Sequence, residues 1–249
     1  MRCALIATVL GLLAEAFAAE RPKVKTVVLV SANAEWREVK KLFPAAAYQK
    51  QTFGEYFQYD RDTIVAQGGW GKISAAASAQ YAIDRWNPRN LVNLGTCGGI
   101  TGRIERYAVL AATKTIVYDI VELMGDPEEA LGFYSADLDL RWAGTPPPSA
   151  VIQAPLLSAD HDLIAKDIPA LVEKYGALAV DWESGAIAWV GKRNQKRVLI
   201  LRGVSDMVSP DGGGQAYGNS GEFEAGTARV MKNLFDILPR WLAPLHRAN

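Results

Sequence analysis

An excess of either charge is missing from this sequence. Its 249 residues carry 27 Lys+Arg and 27 Asp+Glu, a formal net charge of zero. A nucleic-acid binder needs a basic surface to meet phosphates, so that class is excluded. No run of like charge supplies a polybasic membrane patch either. Histidine and cysteine are scarce, at two each, which is too few for most zinc sites. No apolar run reaches the roughly 20 residues of a membrane-spanning helix. Nucleotide-binding glycine loops are wanting as well. No G-x-G-x-x-G occurs, and Gly68-Gly69-Trp70-Gly71-Lys72 lacks the G-x-x-x-x-G-K spacing.

What is present reads as a globular enzyme-sized chain, 49% hydrophobic and 22% charged. Residues 1–19 are expected to be an export signal. Arg2 gives the positive start, Cys3–Leu13 the apolar stretch, and Ala16-Phe17-Ala18 the small-x-small cleavage pattern. A periplasmic or secreted location follows, with no membrane anchor after cleavage. The mature domain, 20–249, would keep Cys97 alone and hold together without an internal disulfide.

Along that domain, β-branched runs alternate with helical patterns. Lys25–Ser31, Thr63–Gln67, Asn90–Leu94, Tyr107–Tyr118, Val151–Leu157, Leu178–Asp181 and Arg197–Arg202 read as strands. Ala34–Leu42, Lys72–Trp86, Ala159–Tyr175, Ser184–Lys192 and Phe223–Leu238 read as helices, the last ended or kinked by Pro239. Gly95–Gly99 is expected to break the third strand. Gly125–Pro148 is expected to be irregular, and Ser209–Gly221 to be a Gly-rich loop. The alternation predicts a single α/β sandwich, a mainly parallel central mixed sheet flanked by helices. Ligands of such folds sit at the carboxyl ends of the strands. Small residues and carboxylates gather there: Ser31–Glu35, Gly68–Lys72, Gly95–Gly99, Asp181-Trp182-Glu183 and Ser205-Asp206.

In that order these segments resemble the nucleoside phosphorylase/nucleosidase superfamily, and look closest to its methylthioadenosine/S-adenosylhomocysteine nucleosidase branch. The resemblance rests on Ser31-Ala32-Asn33-Ala34-Glu35, Gly69-Trp70-Gly71-Lys72 and Asn93–Gly99. It continues through Val180–Ser184 and Arg202-Gly203-Val204-Ser205-Asp206. It implies cleavage of the N-glycosidic bond of a purine nucleoside of adenosine, inosine or 5′-methylthioadenosine type, with no metal and no organic cofactor. Such a bond breaks through a ribosyl cation, so the base must be protonated and a nucleophile must reach C1′. The resemblance makes Asp206 the acid toward purine N7 and Glu35 the water-activating carboxylate, with Arg202 holding that water or orienting Glu35. It assigns Glu183 to the ribose hydroxyls, Trp182 to the place beneath the sugar, and Thr96, Cys97 and Gly98 to the base and ribosyl face. Asp181, Trp70 and Leu163 join the substrate-binding candidates. A homodimer is implied too.

Two departures bear on chemistry. Phosphorylases of the superfamily usually carry a phosphate-gripping Arg where this chain has Asn93, and a neutral amide cannot compensate a dianion. Water is therefore the expected nucleophile, and strict phosphate dependence would reveal a phosphorylase instead. In Ser158–Leu163, Asp162 falls where an aromatic ring is expected, leaving Trp70 or Trp182 to stack on the base. A noncatalytic nucleoside-binding or storage protein of the same fold is the remaining rival. It would need none of Glu35, Glu183, Arg202 and Asp206.

Overall fold

Thr26–Val30 (β1) is a run of β-branched and aliphatic residues, all buried, and it lies inside the sheet. The computed structural model describes residues 24–248, so the signal expected over 1–19 falls outside the described residues. β1 pairs in parallel with β4 (Thr63–Gln67) on one side and β5 (Asn90–Ile100) on the other. β10 (Arg197–Ser209) extends the parallel order beyond β5. β2 (Gln49–Gln51) and β3 (Gly54–Asp60) form an antiparallel edge next to β4.

The other half of the sheet curls. β6 (Val109–Val117) runs antiparallel to β10, β8 (Ile152–Ser158) and β9 (Ala179–Asp181) follow in parallel, and β9 returns antiparallel to β5. The two longest strands therefore serve both the open parallel sheet and a closed ring of five strands. Two-residue strands β7 (Ala136–Asp137) and β11 (Gly213–Gly214) border β6 and β10.

Alternation along β1 sets the layers. Val27 and Leu29 pack with α2 (Gly71–Trp86) and α5 (Ser184–Arg193). Val28 and Val30 pack with α1 (Asn33–Leu42) and α6 (Ser220–Arg247). A period of two along the strand thus sends one set of side chains to each helical layer, as the sandwich reading requires. A third cluster, built on Ile100, Leu157, Val180 and Val208, packs under α4 (Ile168–Tyr175).

Several expected boundaries differ. β5 does not break at Gly95 but runs to Ile100, because its far half is paired by β10 on one side and β9 on the other. β10 likewise runs past Arg202 through Asp206, with a register shift between Val204 and Asp206. α6 continues through Pro239 and Pro244 to Arg247. The hydrogen bonds proline removes are offset by burial of Leu238, Trp241, Leu242 and Leu245. Within the stretch expected to be irregular, α3 (Pro127–Tyr134) forms with Pro127 in its first turn, and the Asp126 side chain accepts from the N–H of Glu128 and Glu129. Only the end of Ala159–Tyr175 is α-helical. Residues 159–164 instead form a connection that reaches the strand ends.

Candidate active site

β1 ends at Val30, and Ala32 caps α1 with no side chain able to accept a hydrogen bond. Glu35 compensates. Its Oε2 accepts from the Ala32 N–H at 3.1 Å, satisfying a donor of the first turn. This turns a solvated-looking first-turn acid inward, where it is 1% exposed. Its Oε1 accepts from the Thr96 backbone N–H at 2.6 Å and from the Thr96 hydroxyl at 2.9 Å. The close approach depends on Gly95. A Cβ there would lie 1.7 Å from Arg202 Nη1 and 2.7 Å from Glu35 Oε1. Glycine in this strand marks a crossing of side chains, not a turn.

Arg202 is fully buried on β10, beneath the cleft. Its Nη2 donates to Asn93 Oδ1 at 2.7 Å. Three carboxylates surround the guanidinium: Asp181 Oδ2 lies 2.7 Å from Nε, Glu183 Oε2 3.5 Å from Nη2, and Glu35 Oε1 3.7 Å from Nη1. Nε and Nη1 face these charges as ion pairs without an aligned hydrogen bond. Burial alone would pull its pKa down, but the three carboxylates more than offset that and hold it above the ordinary value. Asn93 is spent in the same frame, donating from Nδ2 to the Leu29 carbonyl at 3.0 Å.

Asp181 and Glu183 close β9 into α5. Asp181 accepts from the Ser184 N–H at 3.0 Å and the Ser184 hydroxyl at 2.7 Å, so with Arg202 beside it both its oxygens are engaged by protein. Glu183 accepts from the Gly71 N–H at 3.2 Å at the start of α2. Burial, opposed by Arg202 and aided by Glu35 and Asp181, pushes the Glu183 carboxyl up to about 8. Asp206, 6% exposed, accepts from the Ser205 hydroxyl at 2.6 Å. Burial raises its pKa as well, opposed by that hydrogen bond and Arg106 and aided by Asp162 and Glu222.

These groups open into one cleft of about 740 Å³, inside the ~300–1,000 Å³ range of small-ligand sites. Glu35, Trp70, Thr96, Cys97, Gly98, Leu163, Asp181, Trp182, Glu183 and Asp206 all line it. Arg202 does not, standing one layer behind. Trp70 and Trp182 meet at 5.2 Å between centroids, tilted by 36°. Cys97 is 3% exposed with its thiol on the Gly203 carbonyl at 3.5 Å, and burial raises its pKa, so it stays a neutral wall residue. Among the described residues no cluster could hold a metal ion. Sequence reasoning missed Tyr217 and Phe223, which line the cleft from the loop before α6 and from its first turn. The only signal was their place after a Gly-rich stretch.

A family model, the phosphorylase superfamily, matches residues 25–243. The chain belongs to the phosphorylase superfamily. Within the superfamily it is similar to 5′-methylthioadenosine/S-adenosylhomocysteine nucleosidases. That of Maridesulfovibrio salexigens is 28% identical over 176 residues, 66% of this chain and 76% of the relative. The solved Helicobacter pylori nucleosidase superposes with a TM-score of 0.71 at 17% identity, over 87% of this chain and 98% of that one. The Helicobacter pylori futalosine hydrolase gives 0.70 at 16% identity, with the same two coverages of 87% and 98%. At these identities the structural likeness is one of fold.

Proposed function

We propose that this superfamily member hydrolyses the N-glycosidic bond of a purine nucleoside. The observation that carries this reading is the convergence of Glu35, Glu183 and Asp206 on one cleft, over a buried Arg202. Asp206, its carboxyl biased toward the protonated form, gives its proton to purine N7 as the C1′–N9 bond breaks and the bonding pair leaves with the base. Glu35 takes a proton from the water that attacks C1′. Two of its hydrogen bonds fall on Oε1, so Oε2 retains a lone pair for that water. One water is consumed, and free base and free ribose leave. Glu183 accepts from the ribose hydroxyls. Arg202, held behind the lining, is a positioning residue that fixes all three neighbouring carboxylates. Trp70 and Trp182 supply the apolar wall.

Water is favoured over phosphate by charge. Five acidic residues line the cleft, Glu35, Asp162, Asp181, Glu183 and Asp206, while Arg202 is surrounded by three of them and Arg37 pairs with Glu224. A phosphate dianion would enter a site with no cation left to receive it. We further propose export of the mature domain 20–249 and a homodimer. Ile73, Val121, Leu123 and Met124 each expose at least 74% of their surface, which favours a second copy covering them. Sedimentation of the mature protein at twice the chain mass is the expected result, and a monomer at micromolar concentration would refute the dimer.

The test of the activity is turnover of purine nucleosides by the wild type, Asp206→Asn and Glu35→Gln. Hydrolysis by the wild type that both variants lose, with nucleoside still bound, is expected. Undiminished hydrolysis by either variant would overturn the residue roles.

A further inference from the structure

The segment Asp160–Leu163 is tied to its surroundings at several points. The Asp160 N–H donates to Asp119 Oδ2 at 2.9 Å, and the Asp160 carboxylate accepts from the Lys72 N–H at 2.8 Å. The His161 ring bonds the Asp162 carbonyl at 2.8 Å and stands edge-on to Tyr118 at 5.5 Å. The Leu163 carbonyl accepts from the Tyr217 hydroxyl at 2.6 Å. Lys72 also pairs with Asp119. One polar side chain of the segment is left over. Asp162 lines the cleft, and its carboxylate makes no hydrogen bond or ion pair among the described residues. It lies at the end of the cleft where Asp206 and Tyr217 stand, and its charge acts on both of them. An unengaged carboxylate in a binding cleft is costly to cover unless the ligand brings donors to it.

We propose that Asp162 selects the base, its two oxygens accepting the adjacent N–H donors of a 2-amino-6-oxopurine, the guanine edge. This rests on the nucleosidase reading of the cleft. A carboxylate is acceptor-only when ionised and matches a planar pair of donors two-to-two. Guanine presents N1–H and the 2-amino group side by side. Hypoxanthine presents N1–H alone. Adenine turns the N1 lone pair toward the anion and offers one amino donor beside it. The Leu163 carbonyl accepts from Tyr217 and keeps a second lone pair open to any of the bases, so the discrimination rests on Asp162. Base preference therefore follows the donors facing Asp162, with the adenine N1 lone pair counting against it: guanosine above inosine above adenosine.

The experiment is kcat/KM for guanosine, inosine and adenosine with the wild type, Asp162→Asn and Asp162→Ala. The side chain is exposed and unpaired, so both variants should fold. Guanosine is expected to exceed adenosine by roughly 10- to 100-fold, the span of one or two hydrogen bonds to a charged group. Asp162→Asn offers one donor and one acceptor, which fit the adenine edge, and should bring the two substrates within a few-fold of each other. Adenosine equal to or better than guanosine in the wild type, or a ratio that Asp162→Asn leaves unmoved, overturns the proposal while leaving the hydrolytic reading intact. If no nucleoside is cleaved, the hydrolytic reading falls, and calorimetry with free guanine and free adenine still decides base selection. Tighter guanine binding that is lost in Asp162→Asn supports it, and equal binding of the two bases overturns it.

Discussion

Asp206 and Glu183 are both buried carboxylates, yet their neighbours fit them to different work. Asp206 has a hydroxyl hydrogen bond and no cation in contact, so its proton is available to a leaving base. Asp206→Asn should keep nucleoside affinity and cut kcat by about two to four orders of magnitude, the usual range for losing a general acid, measured in single-turnover assays. Because burial raises the Asp206 pKa, kcat/KM should fall as pH rises through that raised value.

Glu183 makes a stability prediction of definite sign. Its carboxyl ordinarily titrates near 4.5 and is pushed up to about 8 in the folded chain. Between those values the native state holds a proton that the unfolded state has lost. Its contribution therefore declines as pH rises through the window and levels off above about 8. Glu183→Gln removes the titration. The wild-type Tm should fall relative to that variant between pH 5 and 8, and parallel Tm curves across that window would contradict the assignment.

At the scale of elements, β5 and β10 carry the site because they run on past the open sheet into the ring. Gly95 lets the Arg202 and Glu35 side chains cross one of them. Gly95→Ala should displace both side chains, abolish turnover and lower Tm, while far-UV circular dichroism stays native. α6 is fixed by burial over two prolines. Trp241 is fully buried, packed edge-on to Trp142, with its indole N–H on Ser149 at 2.9 Å. Trp241→Ala should cost about 3–5 kcal/mol in denaturant unfolding.

These same elements show what was legible in the sequence. β1, β4 and α2 were readable because continuous β-branched runs and an Ala-rich period speak locally. The far halves of β5 and β10 were not, since glycine and serine continue a strand only when two neighbours pair with it. α6 beyond Leu238 was hidden for a similar reason: the apolar face that outweighs proline is a tertiary fact. In the edge pair, β2 is polar and largely exposed, and β3 buries the adjacent Tyr56 and Phe57, so no alternation announces either strand. The cleft was more legible than the strands beside it, because the chemistry-bearing residues sit at strand ends whichever way those ends are paired. Arg202 and Asp181 were placed in the cluster, but only the folded structure shows that one lies behind the lining and the other is bound up by Ser184.

At the scale of the whole molecule, a chain of zero formal net charge carries a cleft lined by five acidic residues. That contrast suits a neutral nucleoside and water better than a phosphate dianion. The fold is shared with phosphorylases and nucleosidases alike, so the choice of nucleophile belongs to this cleft and not to the architecture. The measurement that tests the account most directly is product analysis of the mature protein with purine nucleosides, with and without inorganic phosphate. The account predicts free base and free ribose at a rate indifferent to phosphate. Ribose 1-phosphate formed only when phosphate is present, or nucleoside bound but never cleaved, would contradict it.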